Sequence, residues 1–327
     1  MDNLTHTAAG LFLSRAGLNR WTPQASAILM LAANAPDVDV VSAAGGAVGY
    51  LHYHRHLTHS LIAMPAMAML CVLLVRAVSQ KPVRWWGAFA AATIGVASHL
   101  LLDYTNGYGI RLLLPFSPVY YRLEWMNVVD LWIWAAFLLA IAAPFLARLV
   151  GSEIASGARR AAYPGRGWPI FALAFATLYI GARGVLHARA IGELDSRIYQ
   201  DEEPLRVAAV PGAANPLRWR GIVETRDSYA LMDLDLAGPF DPALARIVHK
   251  PETDPAMDAA MRTETFQVFL RFAEFPEWSI APDEERENAK VASATDMRFL
   301  GWTASALEDY RDRVLRTWLQ IGGVHPR

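Results

Sequence analysis

The sequence predicts a mainly α-helical membrane bundle of four spans and a short N-terminal helical hairpin, followed by a small soluble α+β domain. The 327 residues are 54% hydrophobic with a mean hydropathy of +0.20, which is more apolar than an ordinary soluble domain. Residues 1–200 hold 9 acidic and 15 basic side chains, a net +6, whereas residues 201–327 hold 22 and 15, a net −7. We therefore predict a membrane domain over 1–188 and a soluble domain over 189–327.

The N-terminal hairpin is predicted from two short apolar segments, residues 4–18 and 23–35. Each is shorter than the roughly 20 residues that cross a bilayer, so a re-entrant or half-depth hairpin is expected. Its turn carries Arg15 and Arg20, and its outer ends carry His6 and the PDVD segment, residues 36–39. The first residues have no basic region of the signal-peptide kind, so we expect His6 to stay in the mature protein.

Four longer apolar runs are predicted to span the membrane, at residues 60–78, 85–104, 128–148 and 168–188. The loops after the first and third runs are basic, which predicts that both are cytoplasmic. These basic residues are Arg76, Lys81, Arg84, Arg148, Arg159, Arg160 and Arg166. The opposite, outer face would then hold the histidine-rich end of the bundle and, after the fourth span, the C-terminal domain.

The C-terminal domain is predicted from alternating apolar and polar positions after a polar, helix-like linker at 189–204. Strands are expected at 218–225, 228–236, 265–273 and 291–300. Helices are expected at 240–250 and 306–323.

The segment HYHRHLTHS, residues 52–60, places four histidines directly before an apolar run. Histidine is the commonest metal ligand, and we choose His54 and His59 as ligands, with His52 and His56 solvated. Thr58 is expected to support the site or to cap the next helix.

Acidic and histidine side chains recur at the edges of other apolar segments. His99 and Asp103 are four residues apart, which puts them on one face of a helix, although such a pair also serves as a hydrogen-bonded helix end. Asp37 and Asp39 follow a proline and can turn towards one cation, or can act as caps. Asp130 is expected to orient a ligand histidine.

Together these residues predict a site for one or two divalent ions, most plausibly zinc. The predicted ligands are His6, Asp37, Asp39, His54, His59, His99 and Asp103. Such a site favours metal-assisted hydrolysis, with Asp39 or Asp37 as general base and Arg55 neutralising developing negative charge.

Other function classes lack their signatures. There is no basic, aromatic-interleaved patch for nucleic acid, no GxSxG motif and no phosphate-binding glycine loop, and the single cysteine, Cys71, lies inside an apolar run. A transporter is disfavoured because the polar groups lie at span ends. The alternative to a hydrolase is a regulatory membrane protein with a structural metal site and a C-terminal domain that binds a protein partner.

The motifs MDNLTHTAAG, NAPDVDV, HRHLTHS, SHLLLDYTNGYG and NPLRWRGIVET resemble those of the YdjM-like family of bacterial inner-membrane proteins. That family is described as metal-dependent hydrolases, some of them LexA-binding, so the resemblance implies a multi-pass inner-membrane protein. The resemblance implies the same seven residues as the predicted ligand set, together with Arg55. His56 departs from the pattern, where glycine is expected. A looser similarity to zinc-dependent phospholipase C implies a phosphoester or lipid-linked substrate.

Overall fold

The computed structural model describes residues 1–154, 165–283 and 290–299, and the chain forms two compact units. The first, here the membrane unit, comprises residues 1–40, 54–187 and 211–216. The second, here the C-terminal unit, comprises residues 41–53, 188–210 and the described residues from 217 onward. The predicted helix at 306–323 lies outside the described residues.

The described residues up to 195 form α-helices joined by loops, the longest at 105–130, and 3₁₀ segments lie at Ala35–Gly45 and Leu57–His59. The α-helices are α1 (Asn3–Ala16), α2 (Ala25–Ala32), α3 (Gly46–Tyr53), α4 (Met64–Ser79), α5 (Trp85–Tyr104), α6 (Leu131–Ile154) and α7 (Gly167–Asp195).

Helices α1, α2 and α5 pack closely because small residues lie where they meet. A Cβ atom added to Gly10 in α1 would lie 2.6 Å from the carbonyl oxygen of Leu29 in α2. A Cβ added to Gly95 in α5 would lie 2.8 Å from the Cβ of Ala32. This close approach seats the end of α2 against the middle of α5, and that junction positions the site described below.

Two helices of the described residues, α5 and α7, are long and apolar enough to cross a membrane. A third span is counted if α2 and the bent helical segment Ala35–Tyr53 are taken together. Four spans are therefore not confirmed. Pro65 fixes the start of α4 near Met64, which leaves 16 residues, and the apolar part of α6 is Leu131–Leu146.

The C-terminal unit contains two small sheets. The first has strand order β1-β2-β3-β4, with β1 (Arg206–Pro211), β2 (Arg218–Glu224), β3 (Ser228–Asp235) and β4 (Arg246–His249). β2 pairs antiparallel with β3, and β3 with β4. The second is the antiparallel pair β5 (Pro276–Pro282) and β6 (Lys290–Asp296). The strands predicted at 218–225 and 228–236 are confirmed as β2 and β3. The strand predicted at 291–300 is confirmed only as far as Asp296, where β6 ends and a 3₁₀ turn, Met297–Phe299, follows.

Two predicted elements of this unit are wrong. The expected strand at 265–273 is helix α9 (Glu264–Phe272), which follows α8 (Pro255–Met261). Its pattern also fits a helix, since Val268 and Phe272 are four apart and both buried, and the Thr263 hydroxyl caps its first turn. The expected helix at 240–250 is a 3₁₀ turn, Pro242–Leu244, followed by β4.

We predict that Gly10→Ala destabilises the membrane unit by about 1–3 kcal/mol, because the new methyl group meets backbone that cannot move aside easily. Gly181→Ala in α7 is the matched control, since an added Cβ there meets nothing within 4 Å. Thermal unfolding in detergent measures both. Equal midpoints for the two variants would contradict the tight packing of α1 on α2.

Candidate metal centre

Three separate segments bring four polar side chains together inside the membrane unit. The 3₁₀ segment after α2 supplies Asp37, the 3₁₀ turn before α4 supplies His59, and the end of α5 supplies His99 and Asp103. One nitrogen or oxygen from each lies within 4.8 Å of the others. The side chains of His59, His99 and Asp103 are fully buried, and that of Asp37 is 13% exposed. We refer to these four residues as the quartet.

The hydrogen bond of His99 fixes which ring nitrogen faces the quartet. Its Nδ1 lies 2.8 Å from the carbonyl oxygen of Ala33, at the end of α2. A carbonyl oxygen only accepts hydrogen bonds, so Nδ1 carries the proton. In the neutral ring, the lone pair of Nε2 then points into the quartet.

His59 is oriented in the same way by a different acceptor. Its Nδ1 lies 3.1 Å from Oδ2 of Asp39 and 3.1 Å from the Thr58 hydroxyl oxygen, which itself donates to Asp39 and therefore accepts from Nδ1. Its Nε2 lies 3.1 Å from Nε2 of His99. When both rings are neutral, each carries its proton on Nδ1. The lone pairs of the two Nε2 atoms then face each other at hydrogen-bond distance.

The two carboxylates complete an electron-rich pocket around these nitrogens. Asp37 Oδ1 lies 3.5 Å from Nε2 of His59 and 3.6 Å from Nε2 of His99. Asp103 Oδ2 lies 3.6 Å from each of the same nitrogens. Ligands around a tetrahedral zinc ion lie roughly 3.3 Å apart, given metal–ligand distances of about 2.0–2.2 Å. The quartet could therefore hold a divalent metal ion.

Asp39 lies behind His59 and outside the quartet. Its carboxylate accepts hydrogen bonds from the backbone N–H of Arg55, the Thr58 hydroxyl and Nδ1 of His54, each at 2.8 Å. Arg55 has a φ of 54°, a left-handed conformation that is uncommon for a residue with a side chain. Asp39 thus holds the whole turn that presents His59, and His54 is one of its partners.

His6, the remaining predicted ligand, packs against the quartet from α1. Its ring stacks on that of His99 with centroids 3.9 Å apart. Its Nε2 lies 3.2 Å from both Oδ1 of Asp103 and the carbonyl oxygen of Met1, so Nε2 is a donor. Burial lowers the pKa of His6 well below its usual range, so the ring is neutral. The amino group of Met1 also contacts Asp103.

Arg55 brings a positive charge to the edge of the quartet. Its guanidinium lies 3.0 Å from Oδ2 of Asp103, donates to Asn106 Oδ1 at 3.0 Å and covers the ring of Tyr108. Sequence reasoning missed Asn106 as a site residue. The signal was its position three residues after Asp103, on the next turn of the chain.

The prediction for Asp130 is wrong. Its carboxylate accepts from the backbone N–H groups of Trp132 and Ile133, and from the Tyr179 hydroxyl. It therefore caps the start of α6 and contacts no histidine among the described residues. An acidic residue at the edge of an apolar segment thus belongs to the candidate site at Asp37 and to an ordinary helix cap at Asp130.

Comparison with known proteins places the chain among bacterial membrane proteins. A model of the YdjM inner membrane protein family matches residues 1–190, more than half of the chain. Inner membrane protein YbcI of Escherichia coli (strain K12) is 34% identical over 101 residues, which cover 28% of this chain and 54% of YbcI. The chain thus spans about half the length of that relative. No solved structure matches significantly.

We predict that Asp39→Asn weakens binding of a divalent ion by about 10–100-fold, because an amide holds the Nδ1 proton of His59 less firmly than a carboxylate does. Competition with a chromophoric chelator measures the affinity.

Asp130→Asn makes the same chemical change away from the quartet, at a cap position where asparagine is also favoured, and should leave metal affinity unchanged. An Asp39→Asn protein that binds metal as tightly as wild type would contradict the role given to Asp39.

Proposed function

This chain belongs to the YdjM inner membrane protein family, and we propose that it is a membrane-bound, metal-dependent hydrolase of a phosphoester or lipid-linked ester. The family, the named relative and the apolar helices support an inner-membrane location. One observation carries the proposal: Nε2 of His59 and Nε2 of His99 lie 3.1 Å apart, and one oxygen each of Asp37 and Asp103 lies within 3.6 Å of both nitrogens. Such a set is stable when a cation lies among it.

The proposed ion is zinc, because two imidazoles and two carboxylates in a compact set suit it. When bound, a zinc ion supplies Lewis acidity and makes a neighbouring water more acidic. His59, His99, Asp37 and Asp103 would hold it. His6, His54 and Asp39 would orient these ligands from behind.

Asp37 is the residue that we propose as general base. It is the most exposed of the quartet, and its second oxygen can take a proton from an attacking water. Both oxygens of Asp39 already accept hydrogen bonds, which leaves it a positioning role. The Arg55 guanidinium, beside Asp103, would stabilise negative charge that develops on the substrate.

The arrangement of the basic residues supports a metal site on the outer face of the membrane. Arg84, before α5, donates to the carbonyl oxygen of Arg20 in the hairpin turn, and Gly17 lies against the Arg166 guanidinium before α7. These basic groups lie near the first residue of α5, whereas His99 and Asp103 lie near its last residue. By the positive-inside rule that basic end is cytoplasmic, so we propose that the quartet and the C-terminal unit are on the outer side.

We predict about one tightly held divalent ion per chain in the detergent-purified protein, with loss of that ion in His59→Ala and His99→Ala. Elemental analysis measures the ion, and release of nitrophenol from nitrophenyl phosphodiesters and acyl esters measures hydrolysis, which should fall to background in both variants. His249→Ala, at an exposed position of β4, is the control and should keep both.

The three outcomes separate the candidate functions. Metal and hydrolysis lost together support the hydrolase. Metal retained without hydrolysis of any ester in a broad panel would favour a regulatory protein with a structural ion. No metal in wild type, even after incubation with zinc or manganese, would contradict both.

We predict that alkaline phosphatase fused after residue 327 is active in a Gram-negative host and that a fluorescent protein fused there is dark, because the C-terminal unit follows the proposed outer end of α7. The reverse pair of signals would overturn the proposed orientation.

A further inference from the structure

Arg111 lies in the loop that runs beside the quartet, between α5 and α6. Its backbone N–H donates to the carbonyl oxygen of Arg55 at 3.4 Å, and the next residue accepts a hydrogen bond from Leu61 N–H at 2.9 Å. Residues 110–112 therefore run alongside the turn that carries Arg55 and His59. Arg111 is thus fixed beside the proposed metal centre by backbone bonds on both sides.

The Arg111 side chain is buried and has few partners. The residue is 4% exposed, one terminal nitrogen donates to the Tyr120 hydroxyl at 2.7 Å, and the guanidinium lies 4.4 Å from the centre of the Tyr120 ring. Its Nε forms no hydrogen bond with any described residue. In the described part of the chain, no carboxylate forms an ion pair with it.

Other arginines of the described residues donate either to a carboxylate or, as for the buried Arg183, to backbone carbonyl oxygens. Arg55 pairs with Asp103, Arg122 pairs with Glu124 in the same loop, and Arg298 pairs with Asp296. A buried charge is costly unless an opposite charge accompanies it. The tyrosine ring attracts the Arg111 cation but supplies no negative charge. Arg111 therefore lacks the carboxylate partner that Arg55 and Arg122 have.

We propose that Arg111, together with Arg55, binds an anionic phosphoryl group of the substrate beside the metal centre. The planar guanidinium presents a fork of donors that matches phosphate oxygens, and Nε is the donor still to be satisfied. This inference rests on the proposed hydrolase and narrows its substrate to a phosphate-bearing one. The phosphate belongs either to a lipid headgroup or to a water-soluble ester.

The test measures thermal stabilisation of the full-length protein in detergent by inorganic phosphate and, separately, by phosphatidylglycerol in mixed micelles. We expect Arg111→Met to weaken the apparent affinity by about tenfold or more, since charge-assisted hydrogen bonds are lost. Arg111→Lys should weaken it less, because it keeps the charge without the fork. Arg122→Met, which removes an equal charge from the same loop but one with its own carboxylate, should stay within about twofold of wild type.

Metal content is determined in each variant, which keeps this inference separate from the proposed function. An Arg111-dependent response to both ligands assigns a phosphoryl site, and a response to the lipid alone assigns a headgroup site. Arg111→Met with an unchanged response, or an equal loss in Arg122→Met, would overturn the inference whether or not metal is present. If the wild-type protein held no metal, the proposed hydrolase would be overturned. The effect of the Arg111 substitutions on stabilisation by phosphate and lipid would still test this inference.

Discussion

Two nitrogen lone pairs, on His59 and His99, face each other at 3.1 Å, and the rest of the membrane unit is arranged to keep them there. Each ring has its other nitrogen tied to an acceptor, the carbonyl of Ala33 or the carboxylate of Asp39. Two ring nitrogens and two carboxylates held this close together attract a cation. The most economical account of the cluster is that an ion belongs among its four electron-rich atoms.

That arrangement depends on close helix packing far from any charge. The Ala33 carbonyl reaches His99 because α2 lies directly on α5, and α2 can do so because Gly95 has no side chain and Ala32 has only a methyl group. The turn that carries His59 is set by Asp39, which accepts hydrogen bonds from the backbone N–H of Arg55 and from the Thr58 hydroxyl. A change in any of these packing positions moves a ligand by more than a metal ion tolerates.

All four members of the quartet are among the seven ligands predicted from the sequence, because they lie at the boundaries of apolar segments and because His99 and Asp103 have helical spacing. The sequence did not separate Asp37 from Asp39, since two carboxylates two residues apart differ only in which way the backbone turns. The roles of Asn106 and Arg111 could not be predicted, because they depend on the path of a loop that has no motif of its own. In the C-terminal unit, the pattern TFQVFLRFA fits a strand or a helix, and the cap at Thr263 decides for the helix.

The central claim is that His59, His99, Asp37 and Asp103 bind one ion directly. X-ray absorption spectroscopy of the zinc-loaded protein tests it most directly, because imidazole rings give a characteristic outer-shell scattering. The account predicts two imidazole nitrogens and two carboxylate oxygens at about 2.0–2.2 Å in the wild-type protein, and no zinc with that environment in His99→Ala, which should no longer hold the ion. A spectrum of oxygen ligands alone, or one that His99→Ala leaves unchanged, would contradict it.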